Sequence, residues 1–265
     1  MILVNGFEVN TKSTFPDGTL LMKYSYSEIG FHSCIDVEWK YENDGELFAL
    51  ICLTKQLPVD RKKYLILKYI PNARMDRVKN PDDIFTLKYF CEIINSLNYD
   101  KVKVLDAHSN VSLALLNNVE QIDVSDHINR AIFNCKNDDN FILYYPDEGA
   151  MKRYSEYNTW LSKTFGIKKR NWEDGKILGV QIADPEIVSG KDILIVDDIC
   201  SRGGTFYHSA KALKGAGAAN ISLYITHCEN TILEGEIFTS GLIKQVYTTD
   251  SLVHCEELKE KIIYV

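Results

Sequence analysis

The residues with the clearest chemical meaning lie in one decapeptide, Val196-Asp197-Asp198-Ile199-Cys200-Ser201-Arg202-Gly203-Gly204-Thr205. An apolar run leads into two acids, then a small polar turn with two glycines, then the start of a helix. Such a turn aims successive backbone N–H groups at one anion, and the partial positive charge of a helix N-terminus adds to their pull. Gly203 and Gly204 permit close backbone approach, Ser201 and Thr205 can donate from their hydroxyls, and Asp197 and Asp198 suit the hydroxyls of a ribose or a cation held near them. The spacing G-x-x-x-x-G-K-[ST] is absent, so this is not a Walker loop. A plain strand–turn–helix link with a capping Asp would also carry two glycines. The longer pattern, hydrophobic-D-D-x-x-x-x-G-G-T, favours a phosphate site.

Positioning these groups requires a strand that ends at the acids and a helix that starts after the glycines. Asp192–Asp198 reads as that strand and Thr205–Lys214 as that helix, stopped by Gly215-Ala216-Gly217 and followed by a strand over Ile221–Thr226. Upstream, Phe141–Tyr145 reads as a strand and Met151–Phe165 as a helix. The first half offers short strand-like runs at Leu20–Tyr24, Cys34–Trp39 and Leu47–Cys52. These are followed by a strand at Tyr64–Ile70, an amphipathic helix at Ile84–Leu97 and a strand at Lys101–Asp106. Alternating strands and helices predict an α/β fold with parallel sheets flanked by helices. A boundary between residues 125 and 140 gives an N-terminal domain at 1–135 and a C-terminal domain at 136–265.

Composition sets the outer limits. The 265 residues are 45% hydrophobic and 25% charged, enough apolar material for sizeable cores. The net charge of −7 argues against a nucleic-acid or membrane-surface binder, though not against a pocket with a few local cations. No apolar run approaches the ~18 residues of a spanning helix, and Met1–Gly6 lacks the basic and apolar regions of a signal peptide. Seven scattered cysteines with no C-x-x-C pair read as reduced thiols of a cytoplasmic protein.

The Asp197–Thr205 segment resembles the phosphoribosyl-pyrophosphate loop shared by type I phosphoribosyltransferases and ribose-phosphate diphosphokinases. Further segments are similar to the diphosphokinases in particular. Phe15-Pro16-Asp17-Gly18-Thr19 resembles that family's F-x-D-G-E segment, which implies that Phe15 and Asp17 help hold the adenine of ATP, typically in a neighbouring subunit's site. Tyr69–Arg77 resembles Y-x-x-x-A-R-Q-D-R and implies nucleotide contacts by Arg74, Asp76 and Arg77. An arginine after a strand can steady a polyphosphate by bidentate contacts, although an exposed charged turn would look the same. Asp106-Ala107-His108 resembles the D-x-H segment beside Mg–ATP, and Pro146-Asp147-Glu148-Gly149 through Lys152-Arg153 resembles P-D-x-G-x-x-K-R. Together they imply a Mg²⁺ held near His108 and Asp147, with His108 also close to the reacting groups. Lys168 and Arg170 fall where the family carries its K-x-R catalytic loop. Cations closing over a transferring diphosphoryl group would stabilise its growing charge.

The resemblance covers residues 12 to 260 and implies two phosphoribosyltransferase-like domains, ATP as donor, ribose 5-phosphate as acceptor and a homo-oligomer. The chain ends on the strand-like Lys261–Val265, where the family continues into a helix. Departures from the pattern are Thr19 for Glu, Met75 for Gln, Ser201 for Asp and Arg202 for Thr. The last two remove one negative charge and add one positive charge at the phosphate loop. They admit a second acceptor, ADP-ribose, whose second phosphate Arg202 could pair with, or else an Arg202 turned outward. A phosphoribosyltransferase and a non-catalytic member of the family are the readings from other classes.

Overall fold

The Asn5-Gly6 pair takes positive φ at both residues, 49° and 86°, the geometry of the tight turn that joins two antiparallel strands. It connects β1 (Ile2–Val4) to β2 (Phe7–Val9) in a computed structural model that describes residues 1–25, 33–136, 140–170 and 177–265. The described residues form two compact units, Met1–Asp123 with Ser251–Val253 and Val124–Asp250 with His254–Val265.

In the first unit, β3 (Cys34–Trp39) alternates strictly, with Ile35, Val37 and Trp39 buried. It pairs in parallel with β4 (Lys62–Leu67), which pairs with β5 (Lys101–Leu105) and then β6 (Val119–Ile122). The sheet runs β2-β1-β3-β4-β5-β6, and β1 lies antiparallel to both its neighbours. Among the described residues the helices of this unit are α1 (Gly45–Gln56), α2 (Thr86–Ser96) and α3 (Asn110–Leu115). Leu47–Cys52, expected as a strand, lies inside α1. The buried set Glu46, Ala49, Leu50, Leu53 and Thr54 follows the helical period, while Phe48 is turned outward. Leu20–Tyr24, also expected as a strand, forms no strand: it makes the bridge Thr14↔Leu20 and a bond from the Leu21 N–H to the Ser13 carbonyl at 2.8 Å.

The second unit opens with α4 (Ser125–Cys135). Its sheet runs β13-β12-β11-β10-β7-β8-β9, from β13 (Ile262–Tyr264), β12 (Gln245–Thr248), β11 (Asn220–Cys228), β10 (Asp192–Cys200) and β7 (Phe141–Tyr145) to β8 (Ser162–Arg170) and β9 (Ile177–Ile182). All pairs are parallel except β8 with β9. β7 is buried at every residue and β11 at every residue after Asn220, as expected for strands covered on both faces. The helices are α5 (Glu148–Tyr154), α6 (Gly204–Gly215) and α7 (Glu256–Lys259). The long helix expected over Met151–Phe165 is therefore cut short. α5 ends at Tyr154, Asn158 takes a left-handed φ of 55°, and the remainder extends into β8. No described helix is long and apolar enough to cross a membrane, and all seven cysteines are free of disulfides.

Candidate active site

In the second unit β7 is followed in the sheet by β8 on one side, and β10 by β11 on the other. The carboxyl ends of β7 and β10 thus flank the point where the winding of the sheet reverses, the place where open α/β sheets bind ligands. Asp147 stands directly after β7, and Asp197 and Asp198 stand near the end of β10. The sequence pattern expects its phosphate and ribose groups at this juxtaposition.

The loop after β10 has the form of an anion cradle. Gly203 takes φ +76° as the N-cap of the 12-residue α6, a conformation that favours glycine. A Cβ there would lie 2.4 Å from the Ile237 side chain, whereas one on Gly204 would meet nothing within 4 Å. Gly203 therefore packs against the protein, and Gly204 leaves its outer side open. Helix α6 aims its first N–H groups toward this opening, while Phe206, Ala210 and Leu213 anchor it in the core.

The side chains of the loop are tied down individually. Asp197 is half-buried and its Oδ1 accepts from the Asp198 N–H at 3.0 Å. Asp198 is buried, with Oδ1 accepting from the Ile199 N–H at 2.8 Å and Oδ2 meeting Arg153 Nη1 at 2.6 Å. Ser201 Oγ donates to Glu229 Oε2 at 2.8 Å, and Thr231 Oγ1 donates to the same oxygen at 3.1 Å. Arg202 is exposed and points its Nε and Nη2 at Glu234 Oε2, 2.9 and 2.8 Å away. Gly235 lies so close beneath the loop that a Cβ there would fall 1.8 Å from the Arg202 carbonyl oxygen. Glu229, Glu234, Gly235 and Ile237 escaped the sequence reading. They follow β11, near whose end His227 is buried beside Ile199 in the register of β10 and β11.

Asp147 caps α5, its Oδ1 accepting from the Ala150 N–H at 3.0 Å. Lys168 and Arg170 fall at the end of β8, paired with Val180 and Ile177 of β9, with a bulge between Lys169 and Arg170. They were expected on a loop, and the backbone is instead an antiparallel ribbon at the edge of the sheet. Their side chains lie outside the described residues.

The first unit gathers a second group. The turn after β4 carries exposed Arg74, buried Asp76 and exposed Arg77, and the turn after β5 carries half-buried His108. Arg77 forks onto Asp76, Nε to Oδ1 at 2.8 Å and Nη2 to Oδ2 at 3.1 Å. That fork holds the Asp76 carboxyl below its ordinary range against the opposing effect of burial. The Ser109 hydroxyl and the charge of His108 add to the lowering, so the two neighbouring turns meet at Asp76. Phe15 and Asp17 lie apart on a tight hairpin, where the Asp17 carboxylate accepts from the Thr19 hydroxyl at 2.7 Å and the Thr19 N–H at 3.0 Å. These bonds lower its pKa, and Phe15 is left half-exposed at the tip. Among the described residues no three His, Cys, Asp or Glu side chains cluster closely enough to cage a metal ion.

Comparison with known proteins agrees with this geometry. The model of the phosphoribosyl transferase domain matches residues 150–237, the stretch holding α5, β10, the cradle and α6. Over about nine-tenths of its length the chain is similar to ribose-phosphate pyrophosphokinases. It is 29% identical to that of Thermoplasma volcanium over 253 residues, covering 90% of this chain and 85% of the relative. It is 26% identical to that of Chlorobaculum tepidum over 269 residues, covering 94% and 77%. The fold matches phosphoribosylpyrophosphate synthetase from Mycobacterium smegmatis with a TM-score of 0.77 at 15% identity, covering 96% of this chain and 84% of that one. The class is thus an α/β protein with phosphoribosyltransferase-type domains. Within that class the chain is most broadly similar to the ribose-phosphate pyrophosphokinases, which it matches over about nine-tenths of its length.

Proposed function

We propose that the protein is a diphosphokinase that moves the β,γ-diphosphoryl group of ATP onto the anomeric hydroxyl of ribose 5-phosphate, giving phosphoribosyl pyrophosphate and AMP. The observation that carries this reading is the cradle itself. Two acids at the end of β10, a left-handed Gly203 and the N-terminus of α6 form one continuous anion-and-hydroxyl site at the switch point of the sheet. A phosphoribosyltransferase would use the same loop. Similarity to pyrophosphokinases over 90% of the chain, first unit included, favours the diphosphokinase.

Each group has a physical task in this reaction. The N–H groups from Arg202 to Thr205 hold the 5-phosphate, and Asp197 accepts from the ribose hydroxyls. Arg74 and Arg77 meet the phosphates of ATP, and Phe15 offers a flat apolar face to its adenine. Lys168 and Arg170 neutralise charge that builds on the transferring diphosphoryl group, and closure of their ribbon excludes water. Toward Mg²⁺ the second unit would offer the hard carboxylate of Asp147 and the first unit the imidazole of His108, and this cation commonly keeps waters and substrate phosphates as its remaining ligands. When bound, the ion draws off negative charge from the phosphate oxygens.

Ribose 5-phosphate is favoured over ADP-ribose because Arg202 faces Glu234 on the exposed side of the loop, where the carboxylate offsets the extra positive charge. Conversion of ATP to AMP, measured separately with each acceptor and with and without Mg²⁺, tests the proposal. The expected result is Mg²⁺-dependent AMP formation with ribose 5-phosphate. AMP formed only with ADP-ribose would reassign the acceptor, and no AMP with either would remove the assignment.

A further inference from the structure

The two acids at the end of β10 are adjacent in sequence but stand in different environments. Asp198 is buried and both its carboxylate oxygens are engaged, one by the Ile199 N–H and the other by Arg153. Asp197 is half-exposed at the carboxyl end of the strand, with Oδ1 resting on the Asp198 N–H. Arg153 reaches Asp198 from α5, whose opposite end is capped by Asp147. One short ion pair therefore ties together the two structures that flank the switch point: the β7–α5 connection and the end of β10. The guanidinium is itself braced, lying 5.8 Å over the ring of Tyr154, which stacks with Tyr145 of β7.

We infer that Arg153 is a positioning residue for the acceptor site, fixing Asp198 as an internal strut so that Asp197 is the acid presented to the hydroxyls of the ribose. This rests on the function proposed above and assigns different work to the two acids. A pair only partly exposed and 2.6 Å long keeps much of its strength, and removing one partner leaves a charge stranded in the interior. Without Arg153 the Asp198 carboxylate must turn toward solvent or a new partner. The backbone from 197 to 199, which the two carboxylates brace, then loses its alignment.

The test is a steady-state series with wild type, Arg153→Ala, Arg153→Lys, Asp198→Asn and Arg153→Ala/Asp198→Asn, reading KM for ribose 5-phosphate and KM for ATP separately. The expected result is a rise in the ribose 5-phosphate KM of about tenfold in Arg153→Ala and Asp198→Asn, with the ATP KM within about twofold of wild type. Arg153→Lys should recover part of the loss by restoring the charge. The double variant should cost no more than Arg153→Ala alone, because both changes break one contact. A merely structural arginine would lower the melting temperature and leave the two KM values in proportion, which would overturn the inference. If Arg153→Ala does not fold, Arg153→Met/Asp198→Asn removes both charges at near-constant volume and is read in the same way. Wild type that forms no AMP with ribose 5-phosphate would overturn the proposed function and this role with it. An active wild type with an unmoved Arg153→Ala would overturn only the role of Arg153.

Discussion

Gly235 has no side chain to spare: the Arg202 carbonyl oxygen occupies the place of a Cβ, with the Arg202 carbonyl carbon only 2.9 Å away. Both obstacles are backbone, so Gly235→Ala cannot be absorbed by a rotamer change and must push the phosphate loop outward. We expect it to cost about 1–3 kcal/mol of stability in urea unfolding and to raise the ribose 5-phosphate KM. Unchanged values of both would show that the loop does not depend on this contact. Arg202 itself is held far more loosely. Its pair with Glu234 is exposed on both partners, and pairs of this kind contribute about 0–1 kcal/mol. Arg202→Thr should therefore leave the melting temperature and the ribose 5-phosphate KM almost unmoved, whereas a role in binding ADP-ribose would show as a KM for that acceptor raised about tenfold or more. For Lys168→Ala and Arg170→Ala we expect kcat to fall by about 10²-fold each, because their charge matters most in the transition state. Wild-type turnover in the double variant would exclude the ribbon from the chemistry.

The elements that close the second unit depend on a buried histidine. His254 Nε2 lies 2.7 Å from the Cys228 carbonyl oxygen, which can only accept, so that nitrogen carries the proton; Nδ1 then accepts from the Tyr264 hydroxyl at 2.6 Å. The ring joins the end of β11 to β13 in its neutral form. Burial pushes its pKa below the ordinary 6.5, with the charge of Lys259 adding to the lowering and the Cys228 carbonyl and Asp250 opposing it. Because the folded value is the lower one, this contribution is complete above the unfolded pKa and is lost as pH falls through the folded pKa. Unfolding free energy should therefore rise with pH up to about 6.5, and His254→Gln should flatten that rise. An identical slope in the variant would rule out the linkage. His254 carried no signal in the sequence because its partners are 26 residues upstream and 10 downstream. The same limit explains which elements were legible. β7, β10, β11 and the cradle were readable because apolar runs and turn residues mark them locally. Leu47–Cys52 was misread because six mostly apolar residues suit a strand or a buried helix equally, and outward-facing Phe48 hides the helical period. Lys168 and Arg170 were singled out by resemblance and expected on a loop, because their antiparallel ribbon depends on pairing with β9 across a bulge.

At the scale of the whole molecule, the proposed function would have a chain of net charge −7 attract two polyanionic substrates, so recognition would rest on a few local cations and on parts that a neighbouring copy could supply. Under that proposal the hairpin around Phe15 is the part a neighbouring copy would supply. It is closed by the Thr14↔Leu20 bridge, by the Phe15 N–H to the Thr19 carbonyl at 2.8 Å and by the Gly18 N–H to the Phe15 carbonyl at 2.9 Å, and it still leaves the Phe15 ring half in solvent. A rigid turn that presents an aromatic ring outward suits insertion into another subunit's nucleotide site. We therefore expect light scattering to give a dimer or larger assembly, and we expect Phe15→Ala and Lys168→Ala each to be nearly inactive alone. Co-expressed in equal amounts, the two variants should regain activity. If each site draws Phe15 from one subunit and Lys168 from another, about one site in four receives both intact residues. If Phe15 serves the site of its own chain, every site retains one defect whatever the mixture, and no activity returns. Recovery near a quarter of wild type thus separates the shared site from the self-contained one, and a monomeric, fully active enzyme would exclude the shared site outright.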